Sequence, residues 1–152
     1  MPSSKDMPAG DPDGPFASAR VARAALRVPD LAASTRWFVE KLDFKVVRAW
    51  RSGELGHAWL SPPGDGSLQV EIIGGNAPEP NPEFGTLEET LEYGGYHHVA
   101  IDVADLDRAL ATLRDRGVTA LGTAIAITET GRRIAFVADP WGNLVALAET
   151  AG

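Results

Sequence analysis

Residues 21–31 read VARAALRVPDL and residues 96–106 read YHHVAIDVADL, and they match at a single spacing. Ala25 and Ala100, Val28 and Val103, Asp30 and Asp105, and Leu31 and Leu106 each stand 75 residues apart. Four identities at one offset look like duplication rather than the chance likeness of two strand–helix units with aspartate caps, so two similar halves are expected. In the first half Ala24, Leu26 and Val28 alternate with Arg23, Ala25 and Arg27, which is the period of a half-buried strand. Asp30 can then cap a helix from Leu31, whose apolar positions Leu31, Trp37, Phe38 and Leu42 fall mainly on one face. Strands fit at 44–50, 55–61 and 67–73. The second half repeats the strand, the aspartate cap and the helix, which Gly117 closes in a left-handed conformation. Strands fit there at 118–122, 132–138 and 143–149. The offset persists to the end, since LQVEI at 68–72 lies over NLVAL at 143–147.

Between the halves, GGNAPEPNPEFGTLEETLEYGG has glycine at both ends, three prolines and five glutamates. It reads as a linker over 75–94 with a helical turn or two near 86–92. Residues 1–19, rich in Pro, Gly, Ser and Asp, read as a disordered tail. The modules are then 20–74 and 95–150, together one compact domain within a chain of 152 residues. Hydrophobic residues make up 44% and charged residues 23%, the balance of a globular protein. A net charge of -7 disfavours nucleic acid and anionic membrane as partners, which leaves a small molecule. Without cysteine there are no thiolate nucleophiles, thiolate metal sites or disulfides. The opening residues lack the apolar run of a signal peptide, and a cytoplasmic location is expected.

The segments ALRVPDLAASTRWFVEKLDF, HHVAIDVADLDRALATLRDRGV and AFVADPWGNLVALAE resemble the vicinal oxygen chelate superfamily, the glyoxalase, bleomycin resistance protein and extradiol dioxygenase fold. The resemblance runs over residues 21–149, and its most specific piece is DPWGNLVAL. It implies an α+β fold in which two tandem βαβββ modules form a curved mixed sheet, a half-barrel, around one cleft. It also implies a homodimer.

In metal-binding relatives each module is expected to give one ligand from its first strand and one from its last. Those positions here are Arg23 and Glu71 in the first module and His98 and Ala146 in the second. A guanidinium has no lone pair to give, and alanine has no donor at all. Only Glu71 and His98 remain, fewer than the three protein ligands that catalytic zinc or a facial-triad iron takes. No cofactor is therefore expected, and a divalent metal on His98 and Glu71 is the alternative.

Alternation places His98, Ala100 and Asp102 on the cleft side of one strand, with Arg23, Ala25 and Arg27, and Gln69, Glu71 and Ile73, on the cleft side of two others. His97 is expected to point away from His98. Arg27 and Asp102, also 75 apart, are expected to form a salt bridge. Arg23 is expected to pair with Glu71 and to receive an anionic or carbonyl oxygen of a ligand, while His98 or Glu71 moves a proton. Catalytic candidates are thus His98, Glu71 and Arg23. Gln69, His57, Trp59 and Asp102 are ligand-binding candidates, with Trp141 near the cleft wall. A structural ion pair with a histidine beside it explains the same residues without chemistry. GDG at 64–66 is a hairpin turn, with no lysine or helix after it to make a phosphate loop. Two functions remain open: an isomerase- or lyase-type enzyme acting on a small organic molecule, and a protein that sequesters such a molecule without catalysis.

Overall fold

The computed structural model describes residues 4–64 and 66–150. The first three residues of the expected tail, and Asp65 of the GDG turn, lie outside them. Strand β1 (Arg23–Val28) leads into helix α1 (Leu31–Leu42), followed by β2 (Lys45–Ser52), β3 (Leu55–Ser61) and β4 (Gln69–Gly74). A short helix α2 (Leu87–Thr90) precedes β5 (His98–Val103), α3 (Leu106–Asp115), β6 (Ile125–Ile127), β7 (Arg132–Ala138) and β8 (Leu144–Glu149). The strands form two four-stranded sheets, ordered β1-β4-β3-β2 and β5-β8-β7-β6. In each sheet the first and last strands of the module pair in parallel, and the other neighbours are antiparallel. The fold is α+β, two tandem βαβββ modules whose sheets do not close.

Both helices start where the aspartates require. Asp30 accepts from the Ala33 amide at 3.0 Å and Asp105 from the Arg108 amide at 2.9 Å, satisfying donors that have no partner inside the helix. Asp43 ends α1 in the left-handed region, with φ 58°, and Gly117 takes φ 81° just after α3. The apolar faces of the helices cover one side of each sheet. Phe38, Leu60, Ile72 and Val28 are fully buried in the first module, and Leu106, Val137 and Val145 in the second. Burying side chains of this size stabilises by about 1.5–3 kcal/mol each.

The strand expected at 118–122 is absent. Val118 folds back to donate to the Leu113 carbonyl, Leu121 donates to the Phe136 carbonyl, and Gly122 turns the chain with φ 80°. Two left-handed glycines only five residues apart leave no room for an extended segment. The strand forms instead at Ile125–Ile127. In the turn before β8, Asp139 is buried and accepts from the Trp141 amide and from both the amide and the side chain of Asn143. Burial pushes its carboxyl above the usual range, and the three hydrogen bonds oppose that rise. Among the described residues no helix is long and apolar enough to cross a membrane.

The modules meet through equivalent positions. Lys41 Nζ donates to the Arg116 carbonyl at 2.6 Å, and Arg116 Nη1 donates to the Lys41 carbonyl at 2.9 Å. These residues stand 75 apart, so each makes to the other the contact it receives, as a pseudo-two-fold axis between the helix C-termini requires. Each cation also lies where the carbonyl end of a helix favours positive charge.

Candidate functional site

With helices over one side of each sheet, strand alternation turns a fixed set of side chains to the other. On β3, Ala58 and Leu60 are buried toward α1 while His57 and Trp59 face the open side; on β4, Val70 and Ile72 are buried while Gln69, Glu71 and Ile73 are half-buried. The register sets Trp59 beside Glu71 across the β3–β4 ladder, and Arg23 beside Gln69 with Ala25 beside Glu71 across β1–β4. On β2 the register shifts between Val46 and Arg48, so that Arg48 lies opposite Trp59 and Trp50 opposite His57. This bulge turns both side chains onto the same open face.

The result is a compact cluster of rings and charges. The Arg23 guanidinium lies over the Trp59 ring, 4.1 Å from its centroid, while that of Arg48 stands 5.9 Å from Trp59 and 6.0 Å from Trp50. Trp50 stacks on His57 with 8° between planes and meets Trp59 edge to face. His57 Nδ1 is 3.3 Å from Glu71 Oε1. A carboxylate can only accept, so His57 donates from Nδ1 and leaves Nε2 as a base. The indole N–H of Trp59 is buried without a partner among the described residues.

In the second module His98 takes the position equivalent to Arg23, and Phe136, opposite Ala146, takes that of Trp59, opposite Glu71. The same pairing results: the His98 and Phe136 rings meet edge to face with centroids 5.0 Å apart. Burial, and second the neighbouring His97, lower the His98 pKa from its usual value.

Several expected contacts are replaced. Glu71 meets His57 rather than Arg23, because the parallel register puts Gln69 and not Glu71 beside Arg23. Arg27 does not reach Asp102. Its guanidinium donates to the carbonyls of Val28, Ile73, Gly75 and Asn76, which the end of β4 exposes beside it, and Asp102 pairs with Arg132 at 3.2 Å. His97 and His98 do not diverge: their Nδ1 atoms are 2.9 Å apart. His97 precedes the strand, so alternation does not govern it. Trp141 lies with linker residues around a hollow of about 490 Å³, tied there by Asn81, which donates to its carbonyl. Arg48 and Trp50 are the members that sequence reasoning missed. The signal for them was a cation and an indole two apart on β2, facing a histidine and an indole two apart on β3.

The donor set does not fit a metal centre within one chain. Among the described residues no three His, Asp or Glu side chains gather closely enough to hold an ion. Arg23 and Ala146 stand at two of the four positions where metal-binding relatives are expected to carry ligands.

The family model for the Glyoxalase/Bleomycin resistance protein/Dioxygenase superfamily matches residues 20–147. Among curated proteins, the chain is 31% identical over 118 residues to Uncharacterized protein YwkD of Bacillus subtilis, covering 76% of this chain and 85% of that one. It is 33% identical over 114 residues to a 2-epi-5-epi-valiolone epimerase of Actinomyces sp, covering 72% of this chain but only 56% of the epimerase. A glyoxalase family protein from Enterococcus faecalis superposes with a TM-score of 0.70 at 24% identity, covering 86% of this chain and 97% of that structure.

Proposed function

The chain belongs to the Glyoxalase/Bleomycin resistance protein/Dioxygenase superfamily, and from that premise we propose that it binds a small organic anion with a flat portion on the open face of its first sheet and transforms it by proton transfer, as an isomerase or lyase. The observation that carries this reading is the Arg23 guanidinium stacked on Trp59 beside the His57–Glu71 couple. A stacked guanidinium keeps its charge at any accessible pH and still has N–H donors at its edge for a carboxylate or enolate oxygen. Arg48 adds a second positive charge, and the Trp50 and Trp59 rings offer apolar surface to the flat portion. Glu71 orients His57 so that Nε2 can take a proton from a carbon next to a carbonyl. The charge that develops on the carbonyl oxygen is stabilised by Arg23. Gln69, beside Arg23, supplies a further polar contact, and His98 is the acid–base group of the second module. Asp102 is held by Arg132 on the second sheet. The isomerase reading draws support from the relative named as an epimerase.

The site is an open surface, and a second copy of the chain in a homodimer would shield it from water. The working location is the cytoplasm, and the segments 20–74 and 95–150 act as one unit joined by the linker.

The test is solvent-deuterium incorporation, followed by proton NMR, into a panel of cyclic hydroxyketones and aryl 2-oxo acids. Exchange by the wild type that falls by at least about tenfold in Arg23→Gln, roughly the loss of one charge-assisted hydrogen bond, and also falls in Glu71→Gln, supports the reading. Tight binding without exchange would instead favour a sequestering protein, which the Trp50–His57–Trp59 ring cluster would also suit. Binding unaffected by either substitution would place the ligand elsewhere.

A further inference from the structure

The contacts of His97 reach from a buried hydroxyl to the cleft-side strand. Thr90, the last residue of α2, is buried; its Oγ1 lies 2.5 Å from the Leu87 carbonyl oxygen and 2.7 Å from His97 Nε2. Two oxygens approach to 2.5 Å only with a proton between them, and a carbonyl can only accept. The single hydroxyl proton of Thr90 is therefore committed to Leu87, and toward His97 the hydroxyl can only accept. A neutral His97 then carries its proton on Nε2, which leaves a lone pair on Nδ1. That lone pair faces His98 Nδ1 at 2.9 Å, so His98 must donate from Nδ1. Each assignment forces the next.

We infer that Thr90 and His97 are positioning residues that lock His98 in the Nδ1–H tautomer, so that its Nε2 lone pair is the atom His98 offers a ligand. Edge-to-face packing against Phe136 fixes the ring plane while the relay fixes the proton. A ligand that uses this atom must present a hydroxyl or other acidic hydrogen to it. If Nε2 takes that proton, His98 becomes an imidazolium whose Nδ1–H still donates to His97, so the chain needs no rearrangement. The relay rests on the proposed function only for its use. Its tautomer exists in the free protein and is measured there.

The protein has three histidines, which keeps the measurement simple. Uniformly nitrogen-15-labelled full-length protein is studied by long-range proton–nitrogen correlation above the ordinary histidine pKa of about 6.5, with His98→Gln assigning the His98 signals. The expected result is a protonated Nδ1 and an unprotonated Nε2 on His98, with the reverse pattern on His97. Thr90→Val, which keeps the shape of threonine without the hydroxyl, should release His98 to a majority Nε2–H form, and Thr90→Ser should restore the lock. A wild-type His98 protonated on Nε2, or a tautomer indifferent to Thr90→Val, overturns the inference. Either outcome leaves the reading of the first-module site standing. If instead the lock is present but no panel compound responds to Arg23→Gln, the proposed function fails and the relay survives.

Discussion

Arg133 grips Glu149 from Nε and Nη2, both at 2.9 Å, and the same carboxylate accepts from the Leu106 amide at the start of α3. The Arg133 hydrogen bond, with that from Leu106 second, holds the Glu149 carboxyl below its usual pKa. A group whose folded pKa is depressed contributes stability that is complete above its unfolded value, about 4.3, and is lost as pH falls through the folded one. Urea midpoints followed downward from pH 5 should therefore drop more steeply for the wild type than for Glu149→Gln; parallel curves would refute the linkage. At this scale alternation made the facing of side chains legible on β1 and β4: Arg23, Gln69 and Glu71 fall on one open surface, as the period of two requires. Their partners were not legible. Opposite charge alone put Glu71 with Arg23, whereas strand register decides contacts and cannot be read from one strand at a time. A bulge on β2, invisible to period counting, hid Arg48 and Trp50.

Among the elements, β4 packs tightly against the start of α1. A methyl group on Gly74 would stand 2.5 Å from the Leu31 nitrogen and 2.6 Å from its Cα, which are backbone atoms that cannot swing aside. The equivalent position in the second module is Glu149, whose carboxylate reaches round to the Leu106 amide. Equivalent positions thus form a tight contact in one half and a hydrogen bond to the helix start in the other. Gly74→Ala should cost about 1–3 kcal/mol, the usual penalty for overpacking. Gly10→Ala, with nothing near the added methyl group, is the control for denaturant unfolding. Equal midpoints would show that α1 yields freely. Helices were the elements best marked in the sequence, because an aspartate cap is a local signal. The expected 118–122 strand failed because its limits depend on two left-handed glycines and on Leu121 bonding across to β7.

Across the whole molecule, the 75-residue offset foretold two halves but not how they meet. That contact includes the exchange between Lys41 and Arg116 at the helix C-termini, made to backbone carbonyls that leave no trace in charge patterning, with Arg116 also 3.1 Å from the Asp43 carboxylate. Lys41→Met should cost roughly 0.5–1.5 kcal/mol, the net worth of one such hydrogen bond, whereas Lys45→Met on exposed β2 should be near neutral. No loss at Lys41 would mean that the modules are held by other contacts.

The central claim, which we propose, is that a fixed guanidinium stands where metal-binding relatives are expected to carry a ligand, so that Glu71 and His98 alone do not hold an ion. Elemental analysis of protein purified without chelators, beside Glu71→Ala and His98→Ala, tests this most directly. The account predicts far less than one equivalent of metal per chain and no change in either variant. A stoichiometric ion that disappears with Glu71 or His98 would contradict it.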